Sequence, residues 1–425
     1  MSGGSERPSL FSSRLMKQIA ALGGLTAAGA LGERLLPRLG GETRFRVRRG
    51  AEPAALARWW TDRGGEPDPR IAAPSVIEGA PSYAANIENM VGVLTLPIGV
   101  AGPLRVNGLH AQGDFMVPLA TTEAALVASY ARGADLVTRA GGASAALLSE
   151  GVVRAPAFVF PSMIEAGSFV AWVVANCELL REAAEATTRH GKLEGIEPFI
   201  DNDVVFLVCR YTTGDAAGQN MVTIATEAMC RAIAEACPIV PRHWFVEGNF
   251  SGDKKASYLG LLIGRGRKVS ASVTIPEALV ERCLHVGIDR MLDYARVAQL
   301  GAMLSGQIGA QGHYANGLAA MYLATGQDAA CVAESAVGFT RMERRDGGLF
   351  MSVTLPNLLV GSVGGGTSLP AQSACLDMLG LKGAGNAQAL AEVTASLCLA
   401  GEISIMAAIA AGEFTRAHHR LARKR

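Results

Sequence analysis

Residues 203–211, DVVFLVCRY, form the stretch of sequence that decides the fold. They are apolar over the length of a strand and rich in β-branched and aromatic residues, so they predict a buried strand. The flanking predictions, in chain order, are a strand at 155–160 (APAFVF), a helix at 163–187, a strand at 193–200, a helix at 219–236 and a strand at 243–246 (HWFV). This β-α-β-β-α-β order is typical of a ferredoxin-like domain.

Glycines interrupt apolar segments on both sides of this unit, which indicates one larger domain around it. We therefore predict a small domain at 154–248, inserted into a larger domain made of 76–153 and 249–425. The larger domain is predicted to be mostly helical, so the fold class is α+β. Residues 1–75 are predicted to be partly helical or flexible. Further predicted elements are a strand at 268–275, helices at 276–303 and 316–324, and a buried Ala-rich helix at 388–412.

Composition excludes several classes of function. The 425 residues are 49% hydrophobic and 18% charged, which supports a buried core and excludes a disordered chain. A net charge of +1 provides no basic field to attract nucleic acid, and 6% aromatic residues provide few stacking platforms. The eight cysteines show no CxxC pair and no zinc-type spacing with histidine. This pattern predicts free thiols, a cytoplasmic location and no bound metal.

The mean hydropathy of +0.24 raises the question of a membrane span. The best candidate in the sequence, IAALGGLTAAGAL at 19–31, is too short to cross a bilayer and is rich in weakly inserting Gly and Ala. We therefore predict no transmembrane span, and an N-terminal helix or arm with membrane association as the alternative.

Four short segments each contain a polar residue that is a candidate for chemistry. Glu123 in PLATTEAALVAS (118–129) fits a charge at a helix N-terminus, or a buried acid that donates a proton. Lys254 in EGNFSGDKK (247–255) fits a solvated turn, or a cation aimed at an oxyanion. Asp328 in ATGQDAA (324–330) fits a cap, and His418 lies in a basic tail where a surface position is the default.

Two glycine-rich loops complete the set of candidates. GDAAGQN (214–220) precedes a predicted helix, and its small residues would let a phosphate approach the helix N-terminus. It is not a Rossmann GxGxxG and lies outside any parallel βαβ unit. GSVGGGT (361–367) is equally well explained as a tight turn.

Taken in order, these strings resemble the hydroxymethylglutaryl-CoA reductase family, of the type found in eukaryotes and archaea. The resemblance covers about residues 87–418. It rests on IENMVG with PIGVAGPL (87–104), PLATTEAALVAS (118–129), GDAAGQNM (214–221), EGNFSGDKK with GRG (247–266), GQDAA (326–330), GSVGGGT (361–367) and GEISIMAAIAAG (401–412).

The resemblance implies a reaction and four catalytic residues. The family reduces (S)-3-hydroxy-3-methylglutaryl-CoA to mevalonate and CoA with two NADPH. By position, Lys254 would stabilise the oxyanion and Glu123 would protonate the aldehyde oxygen. Asp328 would tune the proton affinities of both, and His418 would protonate the departing CoA thiolate.

The resemblance also implies binding residues and an assembly. NADPH would meet Arg189 at its 2′-phosphate, together with Asp215, Gly218, Gln219, Asn220 and Met221. The acyl-CoA would meet Arg132, Arg154, Glu247, Asn249, Lys255, Arg296 and Asn316. Members form homodimers or homotetramers with shared active sites.

Two of these positions depart from the family pattern. Glu247 stands where better-known members have a serine, and Arg296 replaces a lysine. The two departures are either a compensating pair or a sign that another short acyl-CoA is the substrate. A further alternative is a catalytically silent CoA-binding paralogue.

Overall fold

The computed structural model describes Lys17 and residues 53–62 and 64–413. The strands are β1 (Ile98–Gly108), β2 (Gln112–Ala120), β3 (Ala143–Arg154), β4 (Ala157–Val159), β5 (Lys192–Asp201), β6 (Val204–Thr212), β7 (His243–Phe245), β8 (Gly266–Pro276), β9 (Phe339–Arg345) and β10 (Gly348–Leu358). His418 and the segment 19–31 lie outside the described residues.

Helices lie between groups of these strands, and the strands pair mostly antiparallel, so the fold is α+β as predicted. They are α1 (Pro53–Asp62), α2 (Pro74–Glu78), α3 (Leu126–Arg139), α4 (Met163–Ala175), α5 (Cys177–Glu185), α6 (Gln219–Ala236), α7 (Tyr258–Ile263), α8 (Glu277–Leu284), α9 (Ile288–Ser305), α10 (Tyr314–Thr325), α11 (Val332–Ser335), α12 (Pro370–Leu379) and α13 (Ala387–Ala410). Short 3-10 turns occupy Ala80–Tyr83, Ala329–Cys331 and Gly365–Ser368.

The segment from β4 to β7 has the predicted β-α-β-β-α-β element order. Its strands pair antiparallel in the order β7-β4-β6-β5, with β6 central as its apolar sequence requires. The predicted single helix at 163–187 is instead two helices, α4 and α5, with a bend of 70° between them. The bend occurs at Asn176, whose side-chain amide donates to the Trp172 carbonyl at 2.8 Å and so satisfies the end of α4.

The rest of the chain contains a larger sheet in the order β2-β1-β3-β8-β10-β9, joined to the small sheet where β3 pairs with β6. Of these strands, sequence analysis predicted only β8. The strand β3 (ASAALLSEGVVR) is poor in β-branched and aromatic residues over its first half, so its local preference does not indicate a strand. Pairing with β8 along most of its length stabilises it instead.

Two long helices complete the core. The predicted helix at 276–303 is divided into α8 and α9, because His285 adopts a left-handed conformation (φ 55°) that ends α8. Helix α13 is long and apolar enough to cross a membrane, but 89% of its apolar window is buried inside the protein. It is therefore a core helix, and Gly133 of α3 allows close approach, since a Cβ there would lie 1.9 Å from the Ala400 carbonyl oxygen.

Candidate functional site

Lys254 and Asp328 form an ion pair at the surface of the fold. Lys254 Nζ lies 2.9 Å from Asp328 Oδ2, and about two fifths of each side chain is exposed. The other carboxylate oxygen of Asp328 accepts the Ala330 N–H at 3.0 Å, so the backbone of the following turn fixes the carboxylate. The pair is thus held rigidly yet remains accessible to a ligand.

The pKa values of this pair keep both groups charged. The hydrogen bond to Asp328 raises the pKa of Lys254 above its usual value. Burial by itself would raise the pKa of Asp328, but hydrogen bonds from Lys254, Ala330 and Gln219 outweigh it and lower the pKa. A fixed ammonium group in such a place can stabilise an oxygen that gains negative charge.

The glycine motifs of the sequence meet beside this pair. Gln327 donates from Nε2 to the Gly361 carbonyl at 3.0 Å and accepts the Gly361 N–H at 2.8 Å. Gly326 lies against Gly366, and a Cβ added to Gly326 would lie 2.2 Å from the Gly366 carbonyl oxygen. Residues 326–330 and 361–367 are therefore locked together by contacts that only glycine permits.

The predicted cofactor loop joins the same cluster. The Asp215 carbonyl accepts the Ser362 N–H at 2.9 Å, and Ala216 pairs with Val363 in a short parallel bridge. We call residues 214–219, 326–330 and 361–367 the three-loop cluster. The Asp215 carboxylate accepts the N–H groups of Gly385 and Ala387 at 2.9 and 3.2 Å, so it also caps the start of α13.

The N-terminus of α6 points into the three-loop cluster. Its N-cap residue Gly218 has φ 76°, and no side chain among the described residues caps the first amides. Gln219, the next residue, places its amide nitrogen 3.4 Å from Asp328 Oδ2 and 2.8 Å from Cys331 Sγ. Free amide groups at a helix start form an anion site, here next to the Lys254–Asp328 pair.

Arg189 lies close to this helix start. The Thr188 hydroxyl contacts Met221 Sδ at 3.0 Å, which places the turn that carries Arg189 beside the first turn of α6. Both Arg189 and Asn220 are exposed. The structure therefore brings the residues predicted to bind NADPH close together. The carboxylate of Asp215 differs from the prediction in that it caps helix α13.

A chain of ion pairs lies beneath the turn that carries Lys254. Arg154 contacts Glu247 at 3.1 Å and Asp253 at 3.0 Å, and Arg265 contacts Asp253 at 3.0 Å and Glu334 at 2.8 Å. We call these five residues the buried charge chain. Sequence analysis missed Asp253, Arg265 and Glu334 as functional candidates. Asp253 and Arg265 lie within the quoted motifs EGNFSGDKK and GRG, whereas no motif signals Glu334.

Within residues 64–413 of one chain, Glu247 and Arg296 each pair with another residue, and whether they compensate each other stays a prediction. Glu247 pairs with Arg154, and its other carboxylate oxygen accepts the Phe250 N–H at 3.2 Å. Arg296 pairs instead with Asp293 on the exposed helix α9, at 2.7 Å. The carboxylate of Glu247 is therefore neutralised by Arg154 at the end of β3.

Glu123 does not serve as a helix N-terminal charge. Helix α3 begins only at Leu126, after Ala125 in a left-handed conformation, and it has no acidic residue in its first turn. The Glu123 side chain is exposed. Within residues 64–413, no hydrogen bond or ion pair joins its carboxylate to Lys254 or Asp328.

The remaining predicted substrate residues have partners within the chain or lie in turns. Arg132 donates to the Ser404 carbonyl at 2.7 Å and to its hydroxyl at 2.9 Å. Asn316 contacts the ring of buried His313 at 3.1 Å, and Lys255 donates to the Asp253 carbonyl at 2.9 Å. Asn249 has a left-handed backbone, φ 60°. These residues lie on several elements, and their role in substrate binding stays a prediction.

Comparisons with known proteins agree with the motifs. A profile of the family described as hydroxymethylglutaryl-coenzyme A reductase matches residues 73–423. A 3-hydroxy-3-methylglutaryl-coenzyme A reductase of Aeropyrum pernix is 42% identical over 88% of this chain and 90% of its own. The corresponding protein of Methanothermobacter thermautotrophicus is 44% identical over 80% of this chain and 85% of its own.

Among solved structures, the fold is similar to that of a class II 3-hydroxy-3-methylglutaryl-CoA reductase from Streptococcus pneumoniae, solved with NADPH. The TM-score is 0.61 at 20% sequence identity, covering 79% of this chain and 93% of the other. At that identity the similarity concerns the fold alone.

Proposed function

Because the chain belongs to the hydroxymethylglutaryl-coenzyme A reductase family, we propose that it reduces (S)-3-hydroxy-3-methylglutaryl-CoA to mevalonate and CoA. The observation that carries this proposal is the Lys254–Asp328 pair, held beside the N-terminus of α6. NADPH, when bound, supplies the hydride for each of the two reductions. The chain's own residues bind the reactants, stabilise charge and deliver protons.

Lys254 acts on the thioester carbonyl oxygen. As this oxygen gains charge, the ammonium group donates a hydrogen bond to it, and Asp328 keeps that group protonated. A single donor of this kind contributes roughly 3–4 kcal/mol to lowering the barrier. The tetrahedral intermediate then expels the CoA thiolate. We assign the protonation of this thiolate to His418. Glu123 protonates the oxygen of the resulting aldehyde when it is reduced.

The cofactor proposal assigns NADPH to the N-terminus of α6. The amides of Gln219, Asn220 and Met221 form the first turn of α6 after the left-handed Gly218, beside Asp328, which suits a pyrophosphate. Arg189 is exposed beside this turn and suits a 2′-phosphate. We accordingly propose 154–248 as the cofactor domain, and 76–153 with 249–425 as the domain for the acyl-CoA.

For the acyl-CoA, we assign roles to the predicted residues according to their contacts and exposure. The guanidinium of Arg154 is buried and already holds two carboxylates, so we assign it to shaping the turn of Lys254. Lys255 and Asn249 lie on the same turn and are both exposed, so we assign them to the substrate's carboxylate end. Arg132 and Asn316 are proposed for the CoA side of the pocket, and Arg296 for a contact across subunits.

We extend the proposal to the type of enzyme and its setting. High identity to archaeal relatives and to a relative from Dictyostelium discoideum, at 40%, supports the type shared with eukaryotes and archaea. We propose a homodimer or homotetramer in which one copy brings Glu123 or His418 to the Lys254 of its partner. The eight cysteines are all unpaired, which supports a cytoplasmic location.

Measuring NADPH oxidation and thiol release together tests this function. With the hydroxymethylglutaryl thioester, two NADPH should be consumed per CoA released, and Lys254→Met should abolish both signals. Turnover only with another acyl-CoA would establish the alternative substrate. Binding of CoA thioesters without any NADPH oxidation would establish a silent paralogue.

A further inference from the structure

We propose that Glu334 is a positioning residue for Lys254, which it holds by the backbone while Asp328 holds the ammonium group. Glu334 Oε1 accepts the Lys254 N–H at 3.1 Å, and Asp328 Oδ2 lies 2.9 Å from Lys254 Nζ. Both acids belong to one short segment of the chain. Asp328 caps the 3-10 turn Ala329–Cys331, and Glu334 lies in helix α11, which follows that turn directly. The inference rests on the proposed function of Lys254 and adds the group that orients it.

The backbone of Lys254 needs such a partner. Its φ is 58°, a left-handed conformation that residues with a side chain rarely adopt. Asn249 (φ 60°) and Gly252 (φ 75°) share this conformation, so the whole turn is unusual. Backbone conformations of this kind persist where the surrounding structure determines them, and they cluster at functional sites.

Glu334 is anchored firmly enough to act on this turn. Its side chain is 2% exposed, and both of its oxygens accept from Arg265 Nη1, at 2.8 and 2.9 Å. Arg265 is 1% exposed, and its Nε donates to the Val153 carbonyl at 3.2 Å. These contacts therefore fix the Glu334 carboxylate in one position, within hydrogen-bond distance of the Lys254 amide.

The same arginine ties Glu334 to the rest of the turn. Arg265 also contacts Asp253, the residue before Lys254, and Asp253 continues through Arg154 to Glu247. The buried charge chain thus includes Glu247 and Asp253 of this turn, and its Glu334 accepts the N–H of Lys254. Its three carboxylates exceed its two guanidinium groups by one negative charge, which favours a cation at Lys254.

The test is Glu334→Gln with Glu392→Gln as its matched control. Glu392 is another fully buried carboxylate, and within residues 64–413 it accepts backbone N–H groups alone, from Leu109, His110, Ala111 and Leu147. We expect Glu334→Gln to lower kcat by at least about tenfold with little change in the KM of either substrate. Glu392→Gln should leave the kcat of the folded enzyme within about twofold of wild type.

A second readout does not depend on turnover. Hydrogen exchange of the Lys254 amide should be faster in Glu334→Gln than in wild type, and unchanged in Glu392→Gln. If wild type is inactive on the hydroxymethylglutaryl thioester, the proposed function fails, and the exchange result still decides the role of Glu334. Unchanged kcat and unchanged exchange in Glu334→Gln would overturn the inference, as would equal loss of kcat in both variants.

A double variant covers the case in which Glu334→Gln does not fold. Replacing both partners, Glu334→Leu with Arg265→Met, removes the buried charges together and is often tolerated. If this protein folds and loses kcat, the positioning role stands. If it folds and keeps the kcat of wild type, Glu334 has no positioning role.

Discussion

Gln327 and Gly361 exchange two hydrogen bonds, one from the Gln327 amide to the Gly361 carbonyl and one from the Gly361 N–H back to Gln327. This exchange satisfies both backbone groups of a buried glycine with one side chain. It fixes the residue before Asp328 to the loop at 361–367. The position of the Lys254–Asp328 pair therefore depends on a contact between two glycine-rich motifs.

Replacing Gln327 should destabilise the whole protein. Gln327→Leu leaves the N–H and the carbonyl of Gly361 buried without partners, which costs roughly 2–4 kcal/mol of unfolding free energy. Urea denaturation measures this. Gln372→Leu is the control, because its amide makes one 3.5 Å bond at the surface. Equal stability of the two variants would contradict the structural role of Gln327.

Gly218→Ala should impair NADPH binding. A Cβ at Gly218 would lie 2.2 Å from Thr213 Cγ2, so the start of α6 must move. We expect the KM for NADPH to rise by about tenfold. Gly214→Ala is the control in the same loop, since it also has a positive φ but nothing within 4 Å of its Cβ. The same KM in both variants would exclude packing at Gly218 as the cause.

Arg189 should set the preference for NADPH. Arg189→Gln removes a guanidinium from the turn beside α6, and loss of a charge-assisted bond should raise the KM for NADPH about 10- to 100-fold. The KM for NADH should stay the same. Arg181→Gln, which breaks an exposed pair with Glu178 on α5, should change neither. An equal rise with both cofactors would place Arg189 outside the 2′-phosphate site.

Asp328→Asn should shift the pH dependence of turnover. The hydrogen bond that Lys254 donates to Asp328 is the main cause of the raised pKa of Lys254, so its loss lowers that pKa. The alkaline limb of the kcat/KM profile should move to lower pH, in addition to any drop in rate. Asp377→Asn is the control, because Asp377 pairs with Lys382 at the surface at 2.9 Å. An unmoved alkaline limb would show that Lys254 does not control it.

Glu402 should make stability depend on pH. Burial raises the pKa of Glu402 from 4.5 to about 7, although its carboxylate accepts the N–H groups of Gly312 and His313. A group whose pKa is raised by folding contributes its full stability below about pH 4.5, and loses it as the pH rises through about 7. The change from 4.5 to about 7 corresponds to roughly 3 kcal/mol.

Glu402→Gln removes this titration and gives the measurement. The difference in unfolding free energy, wild type minus variant, should fall by up to roughly 3 kcal/mol between about pH 5 and about pH 8. Denaturant titrations at both pH values test it. Burial lowers the pKa of His313 to about 4, and because both proteins contain this ring, its contribution cancels in the comparison. A difference between the two proteins that is constant with pH would contradict the raised pKa.

Local sequence determined the parts of the fold whose preference agrees with their environment. The apolar β-branched run at 203–211 lies in the centre of the small sheet as β6, and the helix at 219–236 begins and ends as predicted. The strand β3 was missed, because its alanine and serine residues gain their strand conformation from β8. Where the local preference for a strand was weak, as in β3, pairing with a neighbouring strand determined the conformation.

At the site, the motifs singled out Lys254, Asp328 and the glycine loops, since each contains an unusual local composition. Only the tertiary structure decided that Arg154 neutralises Glu247 and that the Asp215 carboxylate caps α13. It also placed Glu334 beneath Lys254. The physical reason is that these contacts join residues far apart in the chain, and an isolated acid or arginine carries no local sign of its partner.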